Sequence, residues 1–266
     1  MAPRQAFLPI TPPVEITRGK LVLINHPGVG HPLFCLPAYS GEADPNDPST
    51  TVFGVCYQLA LDSCRVITNH AANNQDDFLA RDVDGKIPIP IDDVRPLTPG
   101  DYYYFLGPPN ISANCNYPIV KDFSAFRFPT QLPGHWYHAQ DTARLLSAEV
   151  ISPSDMSSYV MLRDKHCILT GNQSCTFFRH IPPMHVHSCI TIIDNHCAHL
   201  VPETEEAWFD ANKMYLYSLG NMASGINAHT NAISLRDDVR RCFDSNAFVF
   251  YPAGHGDAFM AYFVGQ

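Results

Sequence analysis

A chain of 266 residues can bury enough surface to hold itself together without cross-links, so nine cysteines, odd in number and irregularly spaced, do not call for a secreted disulfide scaffold. Seventeen Lys and Arg against twenty-six Asp and Glu leave a formal charge of −9. Binding to a phosphate backbone rests on basic side chains that displace counterions, so this charge sets the expectation that nucleic acid is not the partner. No apolar stretch approaches the ~20 residues of a membrane span, and Met1 to Gln5 show no charged region leading into an apolar run. A cytoplasmic protein with reduced thiols is expected.

Residues 1–18 carry Pro3, Pro9, Pro12 and Pro13, which disfavour regular structure and suit an extended arm. Lys20 to Asn25 reads as a first strand and Leu33 to Pro37 as a second, with Pro27, Gly28 and Gly30 in the turn between them. Gly41 to Thr51 is polar and rich in turn formers, which predicts a loop. Val52 to Ile67 has apolar residues at helical spacing and predicts a helix. Asp77 to Ala80 and Asp101 to Leu106 predict short strands, with Pro88 to Ile91 extended because proline cannot donate to a ladder. Ala139 to Ala148 is compatible with a linking helix, and the break at Pro153 sets a boundary between regions 1–152 and 153–266.

Beyond that boundary, Cys167 to Thr170 and Thr176 to Ile181 can pair as a hairpin across Gly171 to Ser174. Ser234 is a natural N-cap with Asp237 three residues on, which starts a helix near Leu235 and turns Val239, Cys242 and Phe243 inward. Phe248 to Tyr251 and Phe259 to Val264 read as a closing hairpin. The predicted fold class is α+β, a β-rich N-terminal region packed against a C-terminal hairpin-and-helix core. Core positions are Leu23, Cys56, Leu59, Ile168, Phe178, Val239, Phe243 and Phe250.

The order Arg163 to Gly171, then Arg179-His180-Ile181-Pro182-Pro183, then Asn231 to Asp244 resembles the HNH (ββα-metal) domain of a fungal protein family. Segments from Leu21 to Trp136 are similar, in their order, to the N-terminal half of fungal proteins that carry this domain. The resemblance implies a hairpin His that deprotonates water, an Asn that orients it and a helix His that binds a cation. On this pattern His180 is the base, Asn231 its orienter, and the helix position is Arg240, whose guanidinium has no lone pair for a metal. Arg179 occupies the place before the His that binds metal in many such enzymes. Arg179 and Arg240 can instead grip a carboxylate or enolate in a bidentate fork, with His229 and Asp238 as further substrate-binding residues. The competing reading makes His180 a relic, Asn231 a backbone partner and Arg240 a solvated charge.

Met184 to Cys189 and Asp194 to His199 put four His and two Cys close together, and imidazole and thiolate are the ligands zinc prefers. A zinc reading on His185, His187, Cys197 and His199 therefore stands beside one of buried thiols and hydrogen-bonded imidazoles, with no cofactor as the leading expectation. Functionally, the sequence expectation is a metal-independent acid/base enzyme of fungal natural-product biosynthesis, a cyclase, isomerase or lyase acting on an anionic or enolisable small molecule. The alternatives are a metal-dependent endonuclease, with His229, Asp238 or the His185 to His199 cluster replacing the lost ligand, and a binding module without catalysis.

Overall fold

The computed structural model describes residues 20–38, 40–44, 47–70, 76–90, 96–107, 116–120, 122–129, 156–172, 194–217, 222–252 and 259–263. The chain divides into two compact units, residues 1–64 with 76–117, and residues 65–75 with 118–266. The first is β-rich and the second mixes strands with short helices, so the class is α+β. Pro153 and the linking helix expected over 139–148 lie outside the described residues.

In the first unit a four-stranded sheet has the order β2 (Pro32–Pro37), β1 (Leu21–Asn25), β6 (Gly100–Phe105), β5 (Phe78–Ala80). β1 runs antiparallel to β2 and parallel to β6, and β5 runs antiparallel to β6. Strand alternation explains which residues enter the core. Val22 and Ile24 are buried on β1, and Tyr102 and Tyr104 on β6, while Phe105 joins Phe78 and Ala80 in a cluster flanked by Tyr103. The Tyr104 hydroxyl donates to Asp77 Oδ2 at 2.9 Å, and the Tyr117 hydroxyl donates to the Tyr104 carbonyl at 2.8 Å, so the buried phenols keep partners.

The expected loop over Gly41 to Thr51 is instead a hairpin, β3 (Ser40–Asp44) with β4 (Asp47–Gly54). The helix expected from Val52 starts only at Tyr57, as α1 (Tyr57–Ile67). Val52, read as the first residue of that helix, belongs to β4, and Val55 just beyond the strand bridges to Leu97. Gly54 permits that approach, since a Cβ there would stand 2.6 Å from the Leu97 carbonyl oxygen.

In the second unit α2 (Met156–Asp164) leads into a tight turn at Cys167 to Thr170, where a strand was expected. The Gly171 amide returns to the Cys167 carbonyl at 2.8 Å and the Cys167 amide to Asn172 O at 2.8 Å, closed by Gly171 at φ 72°. Ile168 is consequently 42 % exposed rather than in the core. Thr176 to Ile181, the second strand of the expected hairpin, lies outside the described residues. β7 (Asn195–His199) pairs antiparallel with β8 (Ala232–Arg236), and α4 (Asp237–Asp244) follows at once. Ser234 lies inside β8 and does not cap the helix; Arg236 holds the cap position, with no side-chain cap bond. Between β7 and β8 the chain makes α3 (Glu206–Ala211) and several 3-10 turns, packed through Trp208, Phe209 and Ile226 onto Phe126 and Phe128. β9 (Phe248–Pro252) and β10 (Phe259–Phe263) form the expected closing hairpin. Of the expected core, Leu59 is buried, Val239, Phe243 and Phe250 pack against a buried cluster, Leu23 and Cys56 are half-buried, and Phe178 lies outside the described residues.

Candidate functional site

β7, β8 and α4 form a strand–strand–helix unit whose two faces do different work. Ala198 and Leu235 are buried with Cys167, and Ile233, Val239, Phe243 and Phe250 pack against them, which seats α4 on one face of the hairpin. Residues of opposite parity, Asn195, Cys197 and His199 with Ala232 and Ser234, take the other face, next to α2. Ser234 Oγ lies 3.4 Å from Met161 Sδ there.

Arg163 and Asp164, at the end of α2, hold the outer edge of β8. Arg163 donates to the His229 carbonyl at 2.8 Å and the Ala232 carbonyl at 2.7 Å, and is itself forked onto the Asp164 carboxylate. Asp164 Oδ2 accepts the Ser234 amide at 2.8 Å, and the Ser234 carbonyl accepts the Ile168 amide at 3.0 Å. An edge strand is thereby paired without a third strand.

His199 ends β7, directly opposite Ala232 and so beside Asn231. Asn231 is buried and grips the chain leaving His199. Its carbonyl accepts the Leu200 amide at 2.8 Å, its Oδ1 accepts the Val201 amide at 2.9 Å, and its Nδ2 donates to Val201 O at 3.0 Å and Ile226 O at 2.8 Å. The amide side chain has both donors and its oxygen engaged on backbone, so it positions the residue after His199 through the main chain. The imidazole itself, with its side chain 20 % exposed, places Nε2 3.1 Å from Asn227 Oδ1 and 3.7 Å from Glu203 Oε1. A proton on Nε2 would be donated to that amide oxygen, and Nδ1 would then hold the acceptor lone pair.

The other residues singled out in the sequence are spread around this unit. His229 stacks edge-on against Tyr159, with ring centroids 4.6 Å apart, and burial, reinforced by the Arg163 charge, lowers its pKa. Asp238 is turned to Arg236, which donates to its Oδ2 at 2.7 Å and holds the carboxyl below the ordinary range. Arg240 is 40 % exposed and its Nε lies 3.3 Å from Asp244 Oδ2. Burial pushes the Cys197 thiol up, opposed by the charges of Arg163 and Arg240. His196, on the α4 face, lies 3.6 Å from Asp237. Arg179, His180, His185 and His187 lie outside the described residues. His199, entered in the sequence only as a member of a metal cluster, is the histidine that the described residues place beside Asn231. A signal was present: His199 has Pro202 three residues on, as His180 has Pro183.

Residues 167–251 match the family described as HNH endonuclease, so an HNH-endonuclease-like domain is present over part of the chain. No curated protein and no solved structure matches significantly. The match overturns the expectation, drawn from the −9 charge, that nucleic acid is not the partner, because it points toward nucleic-acid interaction. Net charge sums over the whole surface, whereas a nucleic-acid site needs only local positive potential.

HNH domains imply a divalent cation, and His180, His185 and His187, which could supply ligands, lie outside the described residues. Within them the helix residue Arg240 carries a guanidinium, which has no lone pair for a metal. Among the described residues no group of three or more His, Cys, Asp or Glu converges to hold a metal ion. Among them, too, no helix is long and apolar enough to cross a membrane.

Proposed function

We propose that the chain acts on nucleic acid as an HNH-type phosphodiester hydrolase, with His199 as general base. The observation that carries this reading is the placement of His199 at the end of β7, against Asn231, within the stretch similar to HNH endonucleases. Neutral His199 takes a proton from water on Nδ1 while the water oxygen attacks phosphorus and the phosphodiester P–O bond breaks, the leaving oxygen keeping the electron pair until it is protonated. Glu203 and Asn227 on the far side of the ring fix its tautomer and steady the imidazolium that forms.

The test is nicking of supercoiled plasmid by the purified full chain with magnesium, manganese, zinc or chelator. Cleavage should fall by about 10²-fold or more in His199→Ala, the usual weight of a general base, and persist in His180→Ala. Loss in His180→Ala with retention in His199→Ala would assign the base to His180, with Arg179 beside it. Absence of cleavage by the wild type in every condition would remove the hydrolase reading.

A second reading keeps the small-molecule acid/base enzyme, with Arg240, His229 and Asp238 binding an anionic substrate. Arg240 at the helix ligand position favours it. Turnover of an enolisable substrate by a protein that does not bind DNA would support it.

A further inference from the structure

A row of aromatic rings in the second unit begins and ends at the surface. Trp208 on α3 is buried, and three phenylalanines meet its ring: Phe123 with centroids 4.6 Å apart, Phe126 stacked at 5.9 Å and Phe128 edge-on at 6.5 Å. Trp208 Nε1 donates to the Phe126 carbonyl at 2.7 Å, which fixes these rings on α3. Phe128 in turn meets Tyr217, at the end of the 3-10 turn Met214–Tyr217, with centroids 5.1 Å apart. The inner rings serve the core, whereas Phe123 is 46 % exposed and Tyr217 38 %.

Cations stand beside these rings. Phe126 and Phe128 pack against the Trp208 cluster, and Arg127 between them is exposed. The Phe128 amide donates to Asn212 Oδ1 at 2.7 Å, which sets the segment of Arg127 against that of the exposed Lys213. Among the described residues neither Arg127 nor Lys213 has an ion-pair partner, whereas Arg163, Arg236, Arg240 and Arg241 each hold an aspartate. A polyanion can therefore reach these two charges without displacing a carboxylate. The row also joins the candidate site: Val201 packs against the Trp208, Phe209 and Ile226 cluster, and Asn231, beside His199, donates to the carbonyls of Val201 and Ile226.

The chemistry of the surface selects its occupant. A duplex keeps its base faces stacked on one another, while an unpaired strand offers them to aromatic rings and its phosphates to cations. An apolar peptide would use the rings and leave Arg127 and Lys213 idle. We infer that this surface binds single-stranded nucleic acid, with Phe123 and Tyr217 stacking unpaired bases and Arg127 and Lys213 meeting phosphates of the same strand. The inference rests on the hydrolase reading for the class of polymer and adds its form. Phe123 to Arg127 precede residues 167–251, so part of this strand-binding surface comes from outside the HNH-like match. Glu206 and Asp210, exposed on α3, oppose binding by charge alone, which leaves stacking as the main source of affinity.

The experiment is fluorescence anisotropy of the full chain, in EDTA and in magnesium, with three labelled probes of equal length: an oligothymidylate strand, the same backbone with abasic sites throughout, and a duplex. Gel electrophoresis checks that the probes stay intact, and circular dichroism that each variant is folded. The wild type should bind the base-bearing strand about tenfold or more tighter than either other probe, a comparison that needs no variant. Tyr217→Ala and Phe123→Ala should each weaken strand binding about fivefold or more, the weight of one stacked base, and Tyr217→Phe should retain it. Arg127→Ala should lower the slope of log affinity against log salt by about 0.7, one phosphate contact on a single strand. Phe53→Ala, which removes an exposed ring already covered by Lys20, should leave affinity unchanged. Equal affinity for base-bearing and abasic strands, or unchanged affinity in both ring variants, would overturn the inference while leaving the hydrolase reading intact. Self-association that Tyr217→Ala abolishes, with strand affinity unchanged, would give the surface to a second copy of the chain and overturn it equally. Failure of the wild type to bind single-stranded or duplex DNA or RNA in any condition would remove both.

Discussion

Asn231 shows how one side chain can serve a site without touching a substrate. Three of its hydrogen bonds are made by a buried amide to the backbone of Val201 and Ile226, and removing it leaves those groups unsatisfied. Asn231→Ala should cost about 3 kcal/mol in chemical denaturation, since each buried orphan costs roughly 1–3 kcal/mol; a loss near zero would mean that water replaces the amide freely. His26 is a second residue whose environment fixes its behaviour. Its Nδ1 accepts the Gly28 amide at 2.9 Å, its ring lies 4.1 Å from that of Tyr117, and burial lowers its pKa from 6.5. The folded chain thus binds fewer protons than the unfolded chain at mildly acid pH. The stability held by neutral His26 is fully present above about 6.5 and declines as pH falls through that value toward the lower folded pKa. His229 titrates in the same direction. Melting temperatures between pH 7.5 and 5 should fall in the wild type and fall less in His26→Gln; an identical pH profile for the two would show that His26 carries no linkage.

At the scale of elements, the hairpin β7–β8 is held by α2 as much as by its own ladder. Asp164 takes the Ser234 amide, and Arg163 takes the carbonyls of His229 and Ala232. Asp164→Ala should raise hydrogen exchange at the Ser234 amide selectively, because that donor loses its acceptor while the β7 side of the ladder is untouched. Uniform protection in the variant would show that the ladder suffices. Arg163→Ala should destabilise the chain by about 2 kcal/mol, the scale of hydrogen bonds to a charged donor, and differential scanning fluorimetry reads that loss. His199 depends on this bracing, since its place at the end of β7 is only as fixed as the register of β7 on β8.

Across the whole molecule, the −9 charge and the HNH-like domain describe different quantities. An acidic body repels a polyanion at a distance, and a local guanidinium binds it at contact. The arginines of α4 and its cap position are each paired with aspartate, so these three must exchange a carboxylate for a phosphate before they displace counterions. The slope of log affinity against log salt for DNA should therefore be shallow, about −2. A slope steeper than about −5 would place a basic strip elsewhere on the protein. The two compact units each have their own buried cluster, which makes separate unfolding transitions a reasonable observation to look for in calorimetry.

Local pattern determined a good part of this protein. Apolar and aromatic runs between turn formers marked β1, β5, β6 and the closing hairpin, and the order of motifs from Arg163 to Asp244 marked an HNH-like domain. Where two readings share one pattern, only long-range contacts chose. Ser234 has the chemistry of an N-cap, yet its amide is claimed by Asp164, 70 residues away, and it lies in a strand. Cys167 to Thr170 has strand-like composition, yet Gly171 and Asn172 fold it into a turn against β8. Motif order pointed to His180 as the base, and that residue lies outside the described residues; what the tertiary structure adds is the surroundings of His199. Pairing of His199 with Ala232 sets that His beside Asn231, and a β-register is a property of two segments held together by backbone hydrogen bonds. Neither segment carries it alone.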